Sequence, residues 1–195
     1  MPKYGPDVSA WSSELKPSHA RTLLAECKKS NVSKYLPPIH YAKCIGVYDG
    51  DTITVAAPLY PGVLNSFSLR LDGYDSPEMR TKNKGEKEIA IIARDKLKEL
   101  LTGALLRVDV KKYDKYGRPL ADVYIQSYDD GHAPLEISVN QWMLQHRLGI
   151  AYDGGTKLKV NWPLFYHEGK LRERNLKRFI SKKKMTEVSR SAFVR

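Results

Sequence analysis

Four stretches of this chain place apolar residues at every second position, and that period constrains the fold more than any other feature. Ile53 and Val55 alternate with Thr52 and Thr54, and Phe67, Leu69 and Leu71 alternate with Ser68, Arg70 and Asp72. Leu106, Val108 and Val110 alternate with Arg107, Asp109 and Lys111, and Ala121, Val123 and Ile125 repeat the pattern. Successive side chains of an extended chain point to opposite faces, so each stretch reads as a strand with one face committed to a core. A fifth strand is expected over Tyr41–Tyr48. Asp49-Gly50-Asp51 then separates two apolar runs as a hairpin turn does.

Helical spacing takes over between and after the strands. Ile89, Ile92, Ala93, Leu97, Leu100 and Leu101 form an apolar stripe over 86–101, ended by Gly103. Val139, Trp142 and Met143 mark a helix over 138–148, and Pro163 opens another expected to run to about Lys184. A short amphipathic helix over 18–29 carries Ala20, Leu23, Leu24 and Cys27, in an arm closed by Pro37-Pro38. Three strands, a helix, two strands and further helix predict an α+β chain, a five-stranded OB-type β-barrel with three packed helices. The expected division is an N-terminal extension over 1–38, the barrel domain over 39–162 and a basic helical extension over 163–195.

A formal charge of +11 points to an anionic partner, nucleic acid or a membrane surface. No stretch approaches transmembrane length, and the residues after Met1 hold no apolar run. The expected setting is therefore intracellular and cytoplasmic, with a nuclear or viral origin as alternatives. Cys27 and Cys44 show no metal or redox spacing and are expected to be reduced thiols. The histidines show no paired metal-ligand spacing, and the loop 151–157 lacks the spacing of a phosphate-binding P-loop.

The chemistry concentrates where the strand ending at Asp72 runs into Gly73-Tyr74-Asp75-Ser76-Pro77-Glu78. Arg70 lies on the polar side of that strand. Asp75 and Glu78 follow on a segment stiffened by Pro77. Two carboxylates could hold a hard cation, and an arginine beside them could neutralise a phosphate oxygen. Ser76-Pro77-Glu78 also has the makings of a helix start, with Ser76 as N-cap. Asp51 adds a third acid at the head of a strand. The turn Asp114-Lys115-Tyr116-Gly117-Arg118 carries more basic charge than a turn requires, which suits a phosphate contact.

Asp49-Gly50-Asp51-Thr52, Arg70-Leu71 through Asp75-Ser76-Pro77-Glu78, and Asp114-Lys115-Tyr116-Gly117-Arg118 occur in the order and approximate spacing of staphylococcal nuclease-like proteins. The chain resembles that family over about residues 40–155. The resemblance implies a calcium-dependent phosphodiesterase that hydrolyses DNA and RNA with low sequence specificity and leaves 5′-hydroxyl and 3′-phosphate ends. It implies Asp51, Asp75 and the Ser76 carbonyl as calcium ligands, and Glu78 as the residue that activates water. It implies Arg70 and Arg118 as the pair that grips the phosphate, and Lys115, Tyr116 and Tyr152 as nucleotide contacts. Asp49 looks like a supporting acid. Single-stranded or locally melted substrates are the expected preference. The alternative is a non-catalytic OB-fold nucleic-acid-binding module. That module would have no reason to keep Asp51, Asp75 and Glu78, which repel phosphate unless a cation intervenes. The basic cluster from Lys170 to Lys184, with Lys182-Lys183-Lys184 at its end, is expected to track the nucleic-acid backbone outside the site.

Overall fold

The computed structural model describes residues 17–32, 34–127 and 135–171. Five strands form its centre: β1 (Tyr41–Val47), β2 (Thr52–Tyr60), β3 (Val63–Leu71), and, beyond the two-residue β4 (Tyr74–Asp75), β5 (Leu105–Tyr113) and β6 (Pro119–Ser127). β2 pairs antiparallel with β1 and β3, and β5 pairs antiparallel with β1 and β6. The circuit closes where β3 meets β6 in parallel, Arg70 opposite Leu120 and Leu71 opposite Ala121. This is the closed OB-type barrel that the alternation predicted, with all five strands at the expected places.

The alternation decides what fills it. Ile53, Val55, Leu69, Leu71, Leu106, Ala121 and Val123 are all fully buried, the inward faces of four strands meeting in one core. The helix α2 (Lys84–Leu101) lays Ala93, Leu97 and Leu101 on that core. Its start is fixed by Asn83, whose side chain accepts from the Glu86 amide at 3.1 Å. Ser76 therefore does not cap a helix; it is buried on the segment between β4 and α2. The helix α1 (Pro17–Ala25) precedes the barrel, and the chain enters the core at Pro37 and Ile39, both buried.

Helix α3 (Val139–Gln145) follows β7 (Leu135–Ser138), a strand added to the edge of β6. Its Asn140, buried, ties the seam together. The side-chain amide donates to the carbonyls of Asp72 at 2.9 Å and Ala121 at 3.1 Å, and its oxygen accepts from the Val123 amide at 3.0 Å. β8 (Ile150–Ala151) pairs antiparallel with β4. Then α4 (Trp162–Glu168) packs Trp162 and Phe165 against Ile89 of α2 and Ile150.

The last helix departs from expectation. It begins one residue before Pro163 and stops at Glu168, because Gly169 adopts a left-handed φ of 71° and its amide closes on the Phe165 carbonyl. Arg172, Arg174, Lys177, Arg178 and Lys182 to Lys184, most of the expected basic cluster, lie outside the described residues. Cys27 and Cys44 are free thiols, and no described helix is long and apolar enough to cross a membrane.

Candidate active site

Eight of the nine predicted site residues line one open cavity of about 640 Å³ beside the barrel seam. Asp51, Arg70, Ser76, Glu78, Lys115, Tyr116, Arg118 and Tyr152 line it. Asp75 meets it through the cations that it binds.

The turn between β1 and β2 delivers Asp51. The Asp49 side chain accepts from the Asp51 amide at 3.1 Å and so shapes the turn. Gly50 must be glycine, because a Cβ there would stand 2.8 Å from the Ser76 Cβ and 3.0 Å from the Ala93 Cβ. The Gly50 carbonyl accepts from the buried Tyr74 hydroxyl at 2.7 Å, which fixes this turn against β4. Arg70, one residue before the end of β3, forms an ion pair with Asp51 and reaches Asp75 at 3.4 Å. Its guanidinium is counted as polar-face by alternation, yet it is buried, since the polar side of β3 here faces the site. Burial disfavours the charge on Arg70, but the neighbouring Asp51 outweighs it and raises the guanidinium above its ordinary range.

A second cation completes the cluster. Lys157 lies 2.8 Å from Asp75 and 2.5 Å from Glu78, joining two acids that are three residues apart. Burial pulls the ammonium down, but its hydrogen bonds to Asp75 and Glu78 win, and it ends above the usual lysine range. Sequence reasoning missed it. A lysine in a glycine-rich loop, 79 residues from Glu78, shows no periodicity, and its only signal was a cation placed just after Gly154-Gly155. Burial raises Asp75 from the ordinary carboxylate value even with Lys157 beside it. Asp49 is pushed up to about 6, first by burial and then by the charge of Asp51.

The hairpin between β5 and β6 supplies the opposite wall. Asp114 accepts from the amides of Tyr116 and Arg118 at 2.8 and 2.9 Å, and from the Arg118 guanidinium at 2.8 Å. Burial raises this carboxyl, yet those hydrogen bonds outweigh it and hold it below the usual range. Arg118 also donates to the Thr52 hydroxyl at 3.1 Å, and that hydroxyl donates to Asp51 at 2.8 Å. A continuous polar chain therefore runs from Asp114 through Arg118, Thr52, Asp51, Arg70, Asp75 and Lys157 to Glu78. Tyr116 is exposed, with the Lys115 ammonium 5.0 Å and the Arg118 guanidinium 5.6 Å from its ring centre. The Tyr152 amide donates to the Gly73 carbonyl at 2.9 Å, and its hydroxyl to the Gly155 carbonyl at 2.7 Å.

Two guanidinium groups and the carboxylates of Asp51 and Glu78 line one cavity of a closed OB-type barrel, with Asp75 paired to Arg70, a combination of charges that suits a phosphate together with a cation. Residues 68–159 match the family of staphylococcal nuclease homologues. That match covers just under half of the chain and runs from β3 to the loop holding Lys157; Asp51 comes to the nuclease-homologue segment from outside it. No curated protein matches the chain.

The cluster suits a cation. Asp51, Asp75 and Glu78 outnumber Arg70 and Lys157, the cations paired with them, and offer only oxygen ligands to a metal. Among the described residues no group of three or more His, Cys, Asp or Glu side chains is arranged to hold a metal. A ligand set of two carboxylates and one main-chain carbonyl does not require such a group.

Proposed function

We propose that the chain is a calcium-dependent phosphodiesterase that hydrolyses DNA and RNA with low sequence specificity, water attacking phosphorus to leave 5′-hydroxyl and 3′-phosphate ends. The observation that supports it is the gathering of Asp51, Glu78, Arg70 and Arg118 around one cavity, with Asp75 paired to Arg70, in a chain whose residues 68–159 match nuclease homologues. We assign that domain to 39–162, with extensions over 1–38 and 163–195.

Asp51, Asp75 and the Ser76 carbonyl would hold calcium, a hard cation that takes oxygen ligands in irregular geometry. When bound, it polarises the phosphoryl group toward attack. Arg70 and Arg118 stand ready for the charge that gathers on the phosphate oxygens; losing one such donor costs about 2–4 kcal/mol of barrier. Glu78 takes the proton of the attacking water at a carboxylate oxygen. It first has to release Lys157, which holds that carboxylate in an ion pair. Lys115 and Tyr116 contact the nucleotide on the hairpin side, and Tyr152 on the opposite side. A purely binding module gains nothing from three acids facing a phosphate, so the hydrolytic reading explains more of the cavity.

The test is cleavage of plasmid DNA and single-stranded RNA by the purified chain. Calcium should support it, excess chelator should abolish it, and magnesium, which demands tighter octahedral geometry, should support far less. Glu78→Gln should lower kcat by about two to four orders of magnitude with little change in nucleic-acid affinity. Undiminished cleavage in chelator would overturn the calcium assignment, and a fully active Glu78→Gln would remove Glu78 as the base.

A further inference from the structure

Beyond Tyr116, the cavity wall continues into further tyrosines that the proposed chemistry does not use. Tyr113 and Tyr116 both line the cavity. On the far side of Tyr113 comes a residue of the N-terminal extension: the Tyr113 hydroxyl donates to the Tyr35 carbonyl at 2.6 Å. Beyond it, the Tyr60 hydroxyl at the end of β2 hydrogen-bonds with Tyr35. Tyr35 thus bridges Tyr60 at the end of β2 and Tyr113 at the end of β5.

The anchor at this point is the Tyr35 main chain. The residue is 64% exposed, so its carbonyl and its contact with Tyr60 hold it in place while most of its surface stays in water. Burying a tyrosine ring in the core would have been the favourable use of its area, and the fold does not make it. Lys34, Lys112 and Lys115 are exposed along the same path, with Lys112 and Lys115 on the cavity wall. Aromatic rings interleaved with lysines, continuous with a phosphate site, suit a strand of unpaired nucleotides: bases stack on rings while ammonium groups follow the backbone.

We propose that Tyr35, Tyr60 and Tyr113, with Lys34 and Lys112, form a stacking subsite for unpaired bases of a single-stranded nucleic acid whose reacting phosphate lies in the cavity. The substrate class rests on the phosphodiesterase reading above; the subsite itself rests on the placement of Tyr35 between Tyr60 and Tyr113. Duplex bases are already stacked on one another and cannot use it.

Fluorescence anisotropy of the full chain carrying Glu78→Gln, in calcium, tests this with a labelled oligothymidylate octanucleotide, a dinucleotide and a blunt duplex. Tyr35→Ala should weaken the octanucleotide about tenfold, the order of one lost stacking contact, and leave the dinucleotide and the duplex unchanged. Tyr35→Trp, which keeps a large ring, should restore the affinity. Octanucleotide affinity within about twofold of the parent in Tyr35→Ala, or an equal loss for the dinucleotide, overturns the subsite. Cleavage by the parental chain is read separately. Active enzyme with no Tyr35 effect removes the subsite and keeps the chemistry. A selective Tyr35 effect in a chain that cuts nothing keeps the subsite and removes the chemistry.

Discussion

Two arginines face the same cavity, and the fold holds them in opposite ways. Arg70 sits at the barrel seam, about nine-tenths buried, between Asp51 and Asp75 from two other segments. Arg118 sits on a hairpin, partly exposed, and its main partner, Asp114, belongs to the same turn. The first is fixed by tertiary structure and the second by local structure. Charge placed by the core is rigid and cannot be removed without consequence for the fold. Charge placed by a turn can be exchanged at little structural cost and can move toward a ligand.

The largest expected effect separates the two. Arg70→Ala strands two buried carboxylates and should lower the unfolding free energy of the calcium-free protein by about 3–5 kcal/mol, besides abolishing cleavage. Arg118→Ala should change stability by no more than about 1 kcal/mol while lowering kcat about a hundred- to thousandfold. Urea unfolding and single-turnover kinetics on both variants check this. Equal stability losses would break the distinction.

Lys157 offers an intermediate case, a loop residue that contacts the core-held acid Asp75 and the exposed acid Glu78. If the acids hold calcium as proposed, its ammonium competes with that cation for the same oxygens. Lys157→Met should therefore tighten calcium binding to the substrate-free protein about tenfold, measured by titration calorimetry. Weaker binding would mean that Lys157 orders the acids more than it competes.

The smallest effect belongs to Asp49, behind the Asp51 turn. Its folded value of about 6 lies above its ordinary 3.8, so the folded protein holds an extra proton between those values. The stabilisation this brings is full below about pH 4 and is lost as pH rises through about 6. Calcium-free protein carrying Asp49→Asn should lack that loss, so its Tm advantage over the parent should grow between pH 4 and pH 7. A constant difference across this range would show that Asp49 does not titrate there.

Much of this site could be read from the sequence because its carriers sit in short local patterns. Asp49-Gly50-Asp51 is a hairpin turn, Asp75 and Glu78 flank a proline, and Arg118 ends a turn that Asp114 begins. The strands were legible for the same reason, since one buried face imposes a period of two. What escaped notice is held by distant partners. β4, β7 and β8 are too short to display a period, and Asn140 looks like any polar helix residue until its contacts with Asp72, Ala121 and Val123 are seen. The helix opened by Pro163 was expected to continue through Leu171 on its apolar spacing, whereas Gly169 takes the left-handed turn that ends it at Glu168.

The parallel seam also sets an order of events during folding. Arg70 and Leu120 become neighbours only after a loop of about fifty residues has closed, the kind of long-range pairing that forms late. Until then Arg70 has its hairpin partner Thr52, but the far wall that carries Arg118 has not arrived. A growing chain therefore has Asp51, Asp75 and Glu78 before it has Arg118 and the opposite wall of the cavity. Asn140, further along the chain, latches the seam only after both edges have emerged. If the phosphodiesterase reading holds, a chain assembled in that order acquires its complete site only when the barrel has shut.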